Sequence, residues 1–406
     1  MIKFKQFIVE SETKNQHLEH LEDEVFNGGV AGTRRALNFL RGLRDMLSGS
    51  SDSSVNVTVK WDGAPAIICG INPENKRFFV ATKSAFNKNP KLNYTNSDIE
   101  TNHGNSPGLI QKLKIALNSL SKLGIKGILQ GDLLFTKEDL VPMENEGEKL
   151  ISFKPNTIRY AVPLDSDLAR KIMSSDMGIV FHTTYTGKTI ESMKANFGAN
   201  VDYLKKSSRV WVTDATFKDE SGTATLTESE MEYVTDRLSK IGKIFNKMNS
   251  SVITQIISDE QLKIYIKTYI NSKVRTGQSI EGTKQYADGL ITFIKEKFQK
   301  EIDKLKTEKG KLGREEKLKQ VVSFVNSNKE QFIIMFLVAA LMADVKGLLI
   351  NKLKKVSSIG TFLETPDGFK VTSPEGFVAI DRLGAAVKLV DRLEFSRANF
   401  NLEKSW

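Results

Sequence analysis

The stretch Val55-Asn-Val-Thr-Val-Lys60-Trp-Asp-Gly63 reads as a strand that ends on a lysine and runs into a turn. Val55, Val57 and Val59 alternate with Asn56 and Thr58, the period of a half-buried strand. Gly63 allows the backbone to approach a ligand closely. A lysine held at a strand end suits a nucleophilic amine, provided that a lowered pKa or a nearby metal removes its proton. On its own, Lys-x-Asp-Gly also describes a surface turn built on Asp-Gly, so the surrounding sequence has to decide.

Outward from Lys60, further strands are predicted at residues 66–71, 77–82, 127–135, 178–185, 210–217 and 375–380, with an amphipathic helix over 108–123. Residues 12–48 read as helical, with Leu18, Leu21 and Val25 on one stripe. Seven of the nine prolines lie between Pro65 and Pro163, and none separates Pro163 from Pro366, as a long helical region allows. Within it Ala287, Leu290, Ile291, Ile294, Phe298, Ile302 and Leu305 follow helical spacing, and Gly310 and Gly313 break the pattern. The run from Gln331 to Met342 predicts a helix buried on most sides, continuing to Leu353. The expected fold class is α+β, with four segments. Residues 1–50 are N-terminal helices, 51–225 and 357–406 form one antiparallel-sheet domain, and 226–356 is a large all-α insertion.

The 406 residues carry 59 Lys+Arg against 49 Asp+Glu. Between Leu226 and Val356 there are 24 Lys+Arg and 16 Asp+Glu, so +8 of the net +10 lies in the helical insertion. Basicity raises nucleic acid as a partner. Hydrophobic residues at 40% exclude wholesale disorder. Cys69 alone makes neither an internal disulfide nor a Cys-rich zinc site, which suits a reducing compartment. The run Phe332 to Met342 is too short to span a bilayer and is followed by Asp344 and Lys346. The first residues lack the apolar core of a signal peptide. The expectation is a cytoplasmic monomer, in host cytoplasm if viral, with no membrane partner.

Other segments follow Lys60-Trp-Asp-Gly63 in order: Phe79-Val-Ala-Thr-Lys-Ser84, Leu129-Gln-Gly-Asp-Leu-Leu-Phe135, Gly178-Ile-Val-Phe-His-Thr183, Pro374-Glu-Gly-Phe-Val378 and Ala386-Val-Lys-Leu-Val390. This series resembles the ordered motifs of the covalent nucleotidyltransferase superfamily, which includes ATP-dependent DNA and RNA ligases and mRNA capping enzymes. Lys60-Trp-Asp-Gly is similar to motif I, Gly178 to Thr184 to motif IIIa and Glu375-Gly-Phe-Val to motif IV. Lys388 falls where motif V supplies a lysine. The likeness covers residues 55–185 and 370–400 and implies the ATP-grasp-like ligase fold.

The resemblance implies that Lys60 attacks the α-phosphate of ATP, that AMP passes to a 5′-phosphate end, and that a 3′-hydroxyl displaces it to seal the strand. It makes Asp132 and Glu375 oxygen ligands of Mg²⁺ or Mn²⁺. Lys388 would contact the α-phosphate, and Lys83 a phosphate or the nucleic-acid backbone. Asp62 and Gly63 would hold the loop against the ribose. Phe181 would stack on adenine, with His182 and Tyr185 as competitors. Two positions depart from the pattern: Asp132 stands where the family has Glu, and Val390 replaces the second lysine of motif V. The missing phosphate contact would fall to Arg392, Arg397 or Lys154.

Only eighteen residues follow Lys388, too few for an oligonucleotide-binding barrel. That favours the phage-type RNA ligases over a DNA ligase of unusual build, then a capping guanylyltransferase, then an inactive nucleic-acid-binding homologue. RNA or a nicked duplex is the implied partner. In the insertion, Lys295, Lys297, Lys300 and Lys304 either form a solvated face or track a phosphate backbone. His17 and His20 read as surface histidines rather than a metal pair. Arg34, Arg35, Arg41 and Arg44 read as the polar side of a helix whose apolar side carries Leu37, Leu40 and Leu47. Gly28-Gly-Val-Ala-Gly32 is no Walker loop, because no Gly-Lys-Ser/Thr follows.

Overall fold

The computed structural model describes residues 18–49, 55–217, 225–356, 359–365, 368–371, 375–382 and 385–393. Along the chain run α1 (Glu24–Asn27), α2 (Gly29–Leu47), β1 (Val55–Lys60), β2 (Ala66–Ile71), β3 (Phe78–Ala81), α3 (Asn96–His103), α4 (Pro107–Leu120) and β4 (Ile128–Thr136). Next come β5 (Val141–Asn145), β6 (Glu148–Phe153), β7 (Arg159–Pro163), α5 (Asp167–Ser174), β8 (Met177–Thr186), β9 (Lys194–Phe197) and β10 (Val210–Asp214). Six helices follow: α6 (Glu228–Phe245), α7 (Ser250–Ser258), α8 (Glu260–Arg275), α9 (Lys284–Ile302), α10 (Glu308–Ser327) and α11 (Lys329–Leu353). The chain closes with β11 (Gly360–Thr365), β12 (Gly368–Val371), β13 (Gly376–Asp381) and β14 (Ala386–Leu389). The protein is thus mixed α and β with largely antiparallel sheets.

The chain divides into two units. The sheet unit holds the described residues within 57–218 and 357–386, and the helical unit those within 19–56, 219–356 and 387–406. This differs from the segmentation expected from the sequence, because the N-terminal helices and the long helical stretch share one unit. The cause is α2, whose buried Leu37, Leu40 and Leu43 pack against α6, α7 and α11. The chain after Ala386 also leaves the sheet unit.

In the sheet unit, one sheet has the order β10-β8-β4-β2-β3, with β9 added along β8. Alternation along its strands divides the side chains between two faces. Ile67, Cys69, Val80, Leu129, Ile179 and Phe181 pack with Leu113, Ala116 and Leu120 of α4. Ile68, Phe79, Ala81, Ile128 and Tyr185 face the other way with Ile190 and Met193. A second sheet runs β12-β11-β7-β6-β5, and β1 pairs with β13. Strands β5 to β7 had no counterpart among the sequence-predicted elements.

The helical unit is built on α11. Its Phe336 meets Phe26 at 5.5 Å and Tyr286 at 4.9 Å between ring centroids. By length and composition this 25-residue helix could cross a membrane, which the eleven-residue run alone did not suggest. Half of its apolar window is buried within the protein, and its buried Lys346 pairs with Glu22 at 2.7 Å. The predicted stripe of α9 is buried through Ile302, whereas Leu305 lies beyond the helix end and is 37% exposed. Gly310 and Gly313 do not break a helix. They lie inside α10, where the Thr307 hydroxyl caps the start by accepting the Gly310 amide.

Candidate functional site

β1 delivers Lys60 at its last position, and Glu375 immediately precedes the neighbouring β13. The Lys60 ammonium forms an ion pair with the Glu375 carboxylate. Both are partly withdrawn from water, with the lysine side chain 26% and the glutamate 12% exposed. Two segments separated by most of the chain therefore meet at one charge pair.

The residues after Lys60 are fixed in place. Asp62 is buried, and its carboxylate accepts hydrogen bonds from Asn156 Nδ2 (2.7 Å) and from the backbone N–H groups of Thr157 (2.7 Å) and Ile158 (2.8 Å). Its own N–H donates to the Tyr160 hydroxyl at 2.8 Å. The Asp62 carboxylate thus holds the 156–158 loop, in keeping with the loop-orienting part of its expected role. Gly63 lies directly on β4: a Cβ added there would sit 2.5 Å from Asp132 Cβ. Only glycine allows that approach.

Asp132 shares an open face with His182 of β8, their Oδ2 and Nε2 atoms 3.6 Å apart. Gln130, two residues earlier on β4, accepts the Tyr185 hydroxyl at 2.6 Å. The register between β4 and β8 slips here, with Gln130 opposite Thr183 and Gly131 opposite Phe181, so His182 is the extra residue of a bulge. Bulges re-aim side chains in this way.

Buried Tyr160 reports the electrostatics. Burial pushes its hydroxyl well above the ordinary tyrosine range, and the charges of Asp62, Glu375 and Asp132 push it the same way. Tyr160 also joins Trp61 (5.2 Å), Phe153 (5.6 Å), Phe135 and Trp211 in one aromatic cluster beneath the loop. Neither Tyr160 nor Asn156 was among the sequence candidates. Their strand and loop carry no motif, and only the Asp62 hydrogen bonds reveal them.

Lys60, Gly63, Asp132 and Glu375 are thus brought together, while several other candidates lie elsewhere. Phe181 is fully buried in the core beneath α4, so it offers no ring to a base, and His182 is the side chain presented there instead. Tyr185, the other competitor, is buried in the second core. Lys83 is exposed on a short turn after β3. Lys388 lies on β14, and its N–H donates to the Glu19 carbonyl at 2.8 Å. Arg392 is buried against Glu22 (3.1 Å) and Asp23, which removes it as a phosphate contact. Lys154 is exposed after β6, while Arg397 and His17 lie outside the described residues. In the helical unit Lys295, Lys300 and Lys304 are exposed, and Lys297 leans over the Phe293 ring at 5.2 Å.

Among the described residues, no three His, Cys, Asp or Glu side chains form a ready-made metal cage. Asp132 and Glu375 supply hard oxygen donors, the set through which Mg²⁺ is held when substrate phosphates and water complete its shell. A family model covers residues 15–404. The chain belongs to DUF6267, a family of unknown function. No curated protein and no solved structure matches it. The site of this DUF6267 chain therefore has to be read from its own chemistry.

Proposed function

We propose that the chain is an ATP-dependent polynucleotide ligase, with RNA as the favoured substrate, working through a covalent lysyl-AMP. The observation that supports this most is the meeting of Lys60 with Glu375, 315 positions away, beside Asp132 and Gly63.

Lys60 would act first as an amine. As a cation paired with Glu375 it has no lone pair to give, so the pair must open and a proton must leave before attack. That proton leaves to solvent water once the Glu375 carboxylate no longer pairs with it. The nitrogen then forms a P–N bond at the α-phosphorus of ATP while the bond to the pyrophosphate oxygen breaks. A 5′-phosphate oxygen next attacks the same phosphorus, releasing Lys60. The 3′-hydroxyl finally attacks the 5′-phosphate and AMP departs. Asp132 and Glu375 would hold a divalent cation, which neutralises charge on the phosphates. His182 would meet the nucleotide on the open face, and Asp62 keeps the loop rigid.

The test is incubation with α-labelled ATP and Mg²⁺, followed by denaturation. The expected result is a labelled protein band that disappears in Lys60→Ala. Absence of label with ATP and with GTP, using protein first stripped of AMP by pyrophosphate, would overturn the reading. A GTP-only adduct would move it to capping chemistry.

A further inference from the structure

β10 lies at the end of its sheet, and beside it opens a cleft of about 630 Å³. Lys171, at the end of α5, lines it together with Lys205, Lys206, Ser175, Ser208 and Trp211. The three lysines are exposed, and Asp202 is the one acid in the lining. Nearby Arg209 is already engaged, with Nη2 2.8 Å from Asp176. Lys205 is held in place. Its N–H donates to the Leu123 carbonyl at 2.9 Å, and its aliphatic stem crosses Gly124, where an added Cβ would sit 3.5 Å from Cε. Trp211 stacks on Phe135 and meets Trp61 edge-on at 6.5 Å. Trp61 follows Lys60 directly in sequence, so β10, whose Val210 and Val212 line the cleft, packs its intervening Trp211 against the loop that carries the candidate nucleophile.

We propose that this cleft binds the phosphodiester backbone of a single-stranded nucleic-acid segment. Lys171, Lys205 and Lys206 would each meet a phosphate. A small anion is captured by convergent, buried donors. Here the cations are exposed and distributed along an open groove, which suits a polymer whose successive phosphates each find one charge. The exposed Ser208 adds a neutral donor of the kind that fixes a strand's position without reading its sequence. The proposal deepens the ligase reading and rests on it for the identity of the polymer.

The experiment is fluorescence anisotropy of a short fluorescein-labelled single-stranded RNA, repeated with DNA, across a range of KCl concentrations. It uses the full chain, the triple variant Lys171→Gln, Lys205→Gln, Lys206→Gln, and the quadruple variant Lys295→Gln, Lys297→Gln, Lys300→Gln, Lys304→Gln. Three lost single-strand phosphate contacts should lower the slope of log affinity against log salt by about 2. The triple variant should also bind at least about tenfold more weakly at moderate salt. Labelling by ATP should be unaffected in it. Unchanged affinity in the triple variant overturns the proposal, as does a loss seen only in the quadruple variant or equal competition by polyglutamate. If wild-type protein takes no label while binding still depends on these lysines, the cleft stands and the ligase reading falls. If label is taken and the triple variant binds normally, the reverse holds.

Discussion

The Lys60 ammonium rests on the Glu375 carboxylate, joining the end of β1 to the residue before β13. Under the proposed reading, that pair holds the Lys60 amine in position until something competes for the glutamate. Lys60→Arg tests this without removing the cation. The guanidinium can still pair with Glu375 but is never deprotonated in proteins, so it has no lone pair to offer. The expected outcome is a melting temperature near that of the wild type with complete loss of ATP labelling. Label on the arginine variant would show that the nucleophile lies elsewhere.

Asp62 should matter chiefly for stability. Asp62→Ala would strand the Thr157 and Ile158 N–H groups, whose partner is a buried carboxylate. Each unpaired buried donor costs about 1–3 kcal/mol, so a loss of roughly 2–5 kcal/mol is expected in urea unfolding. A change below about 0.5 kcal/mol would mean that water replaces the carboxylate freely.

Phe181 and His182 are adjacent and should behave in opposite ways. Phe181→Ala removes a ring from the core beneath α4 and should cost about 3–5 kcal/mol. His182→Ala touches a partly exposed side chain and should leave stability within about 0.5 kcal/mol while raising the ATP concentration needed for half-maximal labelling. Calorimetry and a nucleotide titration on both variants separate the two roles.

Glu230 gives a pH signature to the helical unit. Its carboxylate is lowered from 4.5 to about 2, first through hydrogen bonding from Lys352 and then from the Thr227 N–H of the α6 capping box. A depressed carboxylate stabilises the fold fully above its unfolded value and loses that contribution as pH falls through the folded value. After allowance for solvent screening, the contribution is about 1 kcal/mol. Glu230→Gln should therefore be less stable than wild type at pH 7 by about that amount, with the difference fading between pH 4.5 and pH 2. Equal destabilisation at both ends would show that the carboxylate charge is not responsible.

Much of this architecture is legible in the chain because the physical signals are local. Alternation marks β1, β2 and β3, and the absence of proline with helical spacing marks α9 and α11. Strand β5 escaped because it is short and contains Pro142, which a sheet tolerates only at an edge, where β5 lies. Gly178-Ile-Val-Phe181 is apolar on both faces, so its sequence does not say which face carries Phe181. The bulge that turns His182 outward depends on β4, another segment. Asn156 and Tyr160 are functional only through Asp62, a contact across more than ninety residues.

The pairing of Arg392 with Asp23 spans 369 positions, and that of Lys60 with Glu375 spans 315. Each unit is therefore stitched from separate stretches of chain, so synthesis must have passed residue 375 in one and residue 392 in the other before these charge pairs can close. Pairings this distant make for slow folding with exposed intermediates, the more so in chains of this length. A fragment ending before residue 375 would contain every strand of the six-stranded sheet yet lack the partner of its lysine. Dissection of this protein is better done by substitution or circular permutation than by truncation.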